Sequence, residues 1–323
     1  MKKIGFLFGD EIEFSKAVME VINSDNNLDV KAEEIKLGIL GLEDKSQYSV
    51  IFDRFSIRFP FYKSVMRFFE QQGTKIVNST KEYMEYDNFL GAFELKKIKI
   101  NVPKMAIIPS KALPEGVDGS MLGNLIYPLN WEEMFDKIGF PANIMLNNSK
   151  NGIYDCFKIY NQQEFYPIYD MSADETLILQ QAFEQADYFK VFVVGSEKYM
   201  LNYDINKPLR NRYSLIEQET DDKTAKKIDT IIKTIKKHFD MDIFDIDCVL
   251  VNEKIYVNYI DKSIPNIDAL FLPEECYKWL TEKTAELLIN YVKKTAVKTS
   301  KTVDKTRTTT SKKTAAKKTI TKK

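Results

Sequence analysis

Residues 139–195 read GFPANIMLNNSKNGIYDCFKIYNQQEFYPIYDMSADETLILQQAFEQADYFKVFVVG. The order is strand, tight polar turn, strand, helix, strand, loop, strand. Ala142–Leu146 is a short apolar run after a proline, and Asn147–Gly152 (NNSKNG) is turn chemistry. Tyr154–Tyr160 is aromatic and β-branched. Leu177–Phe183 and Tyr188–Gly195 have the length and apolarity of buried strands, around a polar connection, Glu184–Asp187. A turn between two strands, followed by a hinge-like pair, suits clamping a ligand. The same pattern also suits an α+β core with an ordinary hairpin.

Toward the N-terminus the period changes from strand to helix and back. Lys3–Phe8, Val30–Leu37, Tyr48–Arg54 and Lys75–Asn78 read as strands. Glu11–Ser24 presents Phe14, Val18, Met19 and Ile22 on one helical face, and Phe61–Gln72 is a second helix closed by Gly73. Such alternation predicts a small parallel α/β lobe. Ser79 is placed to cap the helix that follows. Val102–Pro109 is a further strand, and Trp131 starts a helix. Toward the C-terminus, Thr220–Phe239 is amphipathic. FDIDCVLVNEKIYVNY then reads as a hairpin with its turn at Asn252–Lys254. A closing helix over Pro273–Lys294 places Trp279, Leu287, Leu288 and Tyr291 on its apolar side.

The order GFP, turn, YDCFKIYNQQEF, LQQAF, DYFKVFVVG, NYD resembles the central part of an ATP-grasp protein, over residues 48–290. The group it is most similar to is the glutathione-synthetase-like ATP-dependent carboxylate–amine ligases. The resemblance implies an ATP-grasp fold, α/β in its first lobe and α+β overall. The division it implies is a pre-ATP-grasp lobe at 1–80, an ATP-grasp domain at 81–292 and a tail at 293–323. It also implies ATP as cofactor. The hinge that would meet the adenine falls at Gln180, Gln181, Ala182 and Phe183. Asp187 and Lys190 fall in a D-Y-x-R-like segment, with Lys190 in the arginine position and so without bidentate geometry. Asp53, Arg54, Ser56 and Pro60 resemble a stretch near the acceptor side. Asp247 keeps the first Mg²⁺ carboxylate.

Other positions depart from that pattern. Asn88 and Met145 stand where relatives carry phosphate-contacting lysines. Ser149, Lys150 and Asn151 replace glycines that let backbone N–H groups approach phosphate. Lys150 is the one residue there with a compensating charge. Tyr259 and Lys262 fall on the remaining metal-ligand positions. Both argue against Mg²⁺, which wants oxygen ligands, usually carboxylates.

Residues 293–323 hold eleven lysines, one arginine and one aspartate, and almost no large apolar side chain. The segment therefore carries +11, and a chain of zero net charge leaves −11 on the rest. Such a tail is expected to be disordered and suits a polyanion or nucleic-acid backbone, a solubilising role, or folding back on the acidic body. The chain start, MKKIGFLFGDEIEF, is too short in apolar residues for a signal peptide, and no apolar run reaches membrane-helix length. Cys156, Cys248 and Cys276 lie far apart without metal spacing, which suits a reduced, cytoplasmic protein. His238 reads as structural. Three functions remain open: an active ligase, a pseudo-ligase kept as a binding or scaffold module, and an interaction protein acting through its tail.

Overall fold

A computed structural model describes residues 1–9, 12–83, 87–147, 156–204, 206–216, 222–262, 265 and 267–294. The NNSKNG turn from residue 148 onward, including Lys150, and the tail from residue 295 onward lie outside them.

The first sheet is parallel throughout. Its strands are β1 (Lys2–Leu7), β2 (Val30–Glu34), β3 (Val50–Asp53) and β4 (Lys75–Val77), in the order β2-β1-β3-β4. Helix α1 (Ile12–Ser24) buries Phe14, Val18 and Ile22, three positions four residues apart and hence on one face. Its end is tied to β2 by Asn23, which donates to the Ala32 carbonyl at 3.0 Å and accepts from the Ala32 N–H at 2.9 Å. Helix α2 (Pro60–Gln71) starts on a proline and ends before Gly73, whose φ of +97° favours glycine. The short α3 (Thr80–Tyr83) follows β4.

A second, antiparallel sheet has the order β5-β8-β6-β7: β5 (Met105–Ile108), β8 (Leu177–Gln181), β6 (Ala142–Leu146) and β7 (Cys156–Ile159). Helices α5 (Trp131–Ile138) and α6 (Gln162–Asp170) cover it through an aromatic cluster. Trp131 meets Tyr169 at 5.0 Å, and Phe165 stacks on Tyr169 at 5.7 Å. Each such pair adds about 0.5–1.5 kcal/mol beyond the area it buries.

The third sheet, β11-β10-β9-β12-β13, is antiparallel: β9 (Asp187–Val194), β10 (Glu197–Tyr203), β11 (Tyr213–Ser214), β12 (Ile243–Val251) and β13 (Lys254–Asp261). Both faces of β9 are covered, which is why its sequence is a continuous apolar run. Val191 and Val193 face the core shared with α7 (Asp222–His238), whose Ile228, Ile232 and Ile235 recur at helical spacing. Phe192 and Val194 face a core shared with the first sheet and with α8, residues 274–294. The β12–β13 turn is the expected one. Asn252 and Glu253 both have positive φ, as a two-residue hairpin turn requires.

Helix α8 presents the expected apolar side but buries a wider arc. Cys276, Leu280, Ala285, Leu288 and Val292 point inward, while Trp279, Leu287 and Tyr291 flank them partly buried. The width follows from what α8 covers, namely two sheets at once. Tyr291 donates to Asp242 Oδ1 at 2.5 Å, at the start of β12, and Lys75 of β4 pairs with Asp242 Oδ2 at 2.9 Å. Asn78 completes the junction by accepting from the Asp242 and Ile243 N–H groups at 2.8 Å. His238 is at the end of α7, its ring nitrogen 2.9 Å from the Thr234 carbonyl.

Candidate functional site

The second and third sheets enclose a cavity of about 630 Å³. Its walls come from β6 (Asn143, Met145), β7 (Cys156, Lys158) and β8 (Gln180), then from the 182–186 connection. Asp187 and Tyr188 of β9, Asn202 and Tyr203 of β10, Asp247 of β12, and Asn258 and Tyr259 of β13 close it. Residues 139–195 thus supply most of one side, as a clamp reading requires.

The hinge end is built by strand pairing. Gln181 donates its N–H to the Lys104 carbonyl at 2.9 Å, and Ala182 donates to the Pro141 carbonyl at 3.0 Å. The chain then turns, and the Tyr188 hydroxyl closes the turn by donating to the Phe183 carbonyl at 2.8 Å. Gln180 is buried and donates Nε2 to the Asn258 carbonyl at 2.8 Å, which fixes the hinge against β13. Of the sequence-derived hinge residues, Gln180, Ala182 and Phe183 line the cavity, as does Asp187 of the D-Y-x-R-like segment. Gln181 does not, because strand alternation turns its side chain away.

The far end is built differently. Between Asp247 and Cys248 the β12–β13 register shifts by one residue, leaving Asn258 unpaired in the ladder. Such a shift bends a strand and re-aims side chains next to a site. Asn258 Oδ1 is buried without a hydrogen-bond partner among the described residues. Below the shift, Asp247 lies opposite Tyr259, and Asp245 opposite Asp261. On the other side of β12, Asp247 lies opposite Lys190. Directly opposed residues share a face, so three carboxylates, one ammonium and one phenol are gathered together.

Lys190 is the centre of this group. Its Nζ is 2.5 Å from Asp245 Oδ1 and 3.0 Å from Asp247 Oδ1, with side-chain exposures of 5%, 1% and 11% for the three residues. It points into the sheet interface over the Phe192 ring, 5.7 Å from its centroid, and does not line the cavity. Burial works against its charge, but the Asp245 and Asp247 carboxylates outweigh it and hold the ammonium well above its ordinary value. Asp245 has the opposite balance. Burial pushes it up to about 7 despite Lys190, with Asp261 and Asp247 adding to the rise. The ammonium gains from two carboxylates, whereas Asp245 gains from one ammonium and is opposed by burial and two other carboxylates. Burial, then Asp261, raises Tyr259, so it is a neutral phenol at neutral pH. Burial holds the Cys156 thiol up at about 12, so it is no nucleophile.

The other positions singled out in the sequence are held elsewhere. Asn88 starts α4 (Asn88–Lys97) and donates Nδ2 to the Leu146 carbonyl at 3.1 Å, while Asp87 caps the helix through the Leu90 N–H at 2.7 Å. Where a phosphate-contacting lysine was looked for, a bracket joins α4 to β6. Lys262 pairs with Glu94 of α4 at 2.6 Å. Asp53 accepts from the Phe55 and Ser56 N–H groups, and Arg54 is buried, donating to the Pro265 carbonyl at 2.9 Å. Lys150 lies outside the described residues. Sequence reasoning did not single out Asp245, Asn258 or Lys158. Asp245 shares a face of β12 with Asp247 by alternation, and the register shift leaves Asn258 out of the ladder and sets Asp261 opposite Asp245.

The same overall arrangement also occurs in solved structures. The chain superposes on an ATP-grasp RimK domain protein from Sphaerobacter thermophilus with a TM-score of 0.62, covering 88% of this chain and 99% of that one at 11% identity. The fold is ATP-grasp. D-alanine–D-alanine ligase from Bacillus anthracis complexed with ATP gives 0.62 over 92% and 99% at 13% identity. An ATP-grasp ligase from Chryseobacterium gregarium, associated with RiPPs and in complex with ADP and a leader and core peptide, gives 0.61 over 90% and 97% at 12% identity. No family model and no curated protein matches the sequence. Among the described residues of this ATP-grasp chain no helix is long and apolar enough to cross a membrane, and no group of three or more acidic, cysteine or histidine side chains is set to hold a metal ion.

Proposed function

We propose that the chain is an ATP-grasp pseudo-ligase, a binding or scaffold module whose cavity keeps an adenine-sized hinge but not the apparatus of acyl-phosphate chemistry. The observation that carries this reading is the fate of Lys190. The cation that could support a phosphate is buried between Asp245 and Asp247, and it does not face the cavity. Lys158 is the one basic residue on the described lining, against Glu184, Asp187, Asp204 and Asp247. Acyl-phosphate formation from ATP develops negative charge that fixed positive groups must meet. An excess of carboxylates opposes that.

A divalent cation fits poorly for the same reason. Asp247 already shares an ammonium 3.0 Å away, which repels a dication, and the position across the ladder is a tyrosine rather than an acid. No step is therefore assigned through Mg²⁺. The hinge end is different. Its backbone edge around Ala182 and Phe183, with Asp187 beside it, suits a nucleoside. The ATP and ADP of the solved ligases support nucleotide as the ligand class.

The test is release of ADP by the full chain with Mg·ATP and a panel of amino-acid and dipeptide acceptors. The expected result is no acceptor-dependent ADP above the no-enzyme rate. Acceptor-dependent turnover that saturates, and that is lost in Asp247→Asn, would replace this reading with an active, rewired ligase.

A further inference from the structure

A second cavity, of about 660 Å³, lies behind the hinge between α4, the 98–104 connection, β5 and α5. Every charged residue that lines it is a lysine: Lys96, Lys99, Lys104 and Lys137. Lys137 is paired with Glu133 on its own helix. Lys96, Lys99 and Lys104 are exposed and have no ion-pair partner among the described residues. Between them the floor is apolar and aromatic. Phe93 remains 54% exposed, and Tyr256 packs its other side against Phe183 of the hinge at 4.9 Å. Large aromatic side chains left in a rimmed depression mark interaction sites rather than ordinary surface.

We infer that this groove is a docking site for an acidic, amphipathic segment of a partner polypeptide. Unpaired lysines around an apolar floor match carboxylates flanking apolar side chains. This is the helix-in-groove or extended-peptide mode, in which pockets take the anchors and the rim sets the sign of charge. The charge of the rest of the molecule favours a short segment over a long polyanion. Residues 1–292 carry −11 in total, so the lysine rim is a local positive island. Screening confines an exposed charge to about 8 Å at physiological ionic strength. A short peptide meets only the rim, whereas a nucleic acid or an anionic membrane extends over the acidic surface around it. The inference does not depend on the nucleotide reading, since the groove shares no lining residue with the first cavity.

The test is fluorescence anisotropy with the full chain and a labelled peptide that carries glutamates on one face and Leu and Phe on the other. A peptide of the same charge, with Ser in place of Leu and Phe, is the polar control. The amphipathic peptide is expected to bind more tightly than the control. Lys96→Glu with Lys104→Glu should weaken it by at least about tenfold, because each reversal replaces an attraction with a repulsion. Phe93→Ser should weaken the amphipathic peptide several-fold and leave the control unchanged. All three positions are exposed, so the fold is retained. Binding that survives these variants would belong to the lysine-rich segment 293–323 and would overturn the groove. So would duplex DNA or phosphatidylserine vesicles that compete as well as the peptide and lose as much in Lys96→Glu/Lys104→Glu.

Discussion

The two ends of the central cavity are built in different ways. At the hinge end the architecture is backbone. Gln181 and Ala182 are held by main-chain hydrogen bonds, Phe183 by a tyrosine hydroxyl, and the side chains have only to fit. At the far end the architecture is charge, and the charges satisfy one another. Asp245, Asp247 and Lys190 form a buried group in which the lysine is held by the two carboxylates. Backbone recognition survives side-chain replacement because any residue carries the same N–H and C=O. A charge-based site does not, because each substitution leaves a buried ion that a neighbour must then neutralise.

The largest expected effect comes from breaking the charged end. Lys190→Met removes the ammonium that lies between Asp245 and Asp247 and should cost about 3–5 kcal/mol of stability, the range for breaking a buried ion pair. Urea denaturation reads this directly. A loss below about 1 kcal/mol would mean that the carboxylates are hydrated and the group is part of an open site. At the hinge end Gln180→Ala removes one buried hydrogen bond to Asn258 and should cost only about 1–2 kcal/mol.

The charged end should also be the pH-sensitive one. Burial raises Asp245 in the folded state to about 7, above the unfolded value near 3.9. Between those values the folded chain holds a proton that the unfolded chain has released. Stability from this group is therefore complete at the acidic side and is lost as pH rises through 7. The urea midpoint at pH 5.5 should exceed that at pH 8, and Asp245→Asn should flatten the difference. An unchanged slope in Asp245→Asn would assign the effect to another group.

A smaller effect would sharpen the comparison by adding a cation and an acid to the charged end. Met145→Lys with Tyr259→Glu puts a cation on β6 and an acid opposite Asp247. It should strengthen ATP binding in the presence of Mg²⁺ by a modest factor, about three- to tenfold, without changing adenosine binding.

Much of the fold is legible in the sequence because period and punctuation agree. Ala142–Leu146 is bounded as read, and the Asn252–Glu253 turn falls where the polar break lies. The strand pair Leu177–Gln181 and Asp187–Val194 is legible because an apolar strand, a polar connection and a second apolar strand follow one another. The charged group is not. Asp245 and Asp247 alternate with apolar residues as on any half-exposed strand. Nothing local marks the one-residue shift that leaves Asn258 unpaired and sets Asp261 opposite Asp245. Lys190 illustrates the same limit. A lysine within an apolar run can face a ligand or a buried partner, and only the register of β9 against β12 decides between them. The apolar face of α8 is legible in part, since Leu288 is in the core with Trp279, Leu287 and Tyr291 packed at its flank, but a helix that covers two sheets buries a wider arc than a simple amphipathic stripe predicts.

The most direct measurement is calorimetric titration of the full chain with ATP and with adenosine, each with and without Mg²⁺. If the phosphate and metal end is spent on its own ion pairs, ATP will bind no more tightly than adenosine, and Mg²⁺ will not strengthen it. Micromolar ATP binding that requires Mg²⁺, with adenosine far weaker, would contradict the account and return the cavity to catalysis.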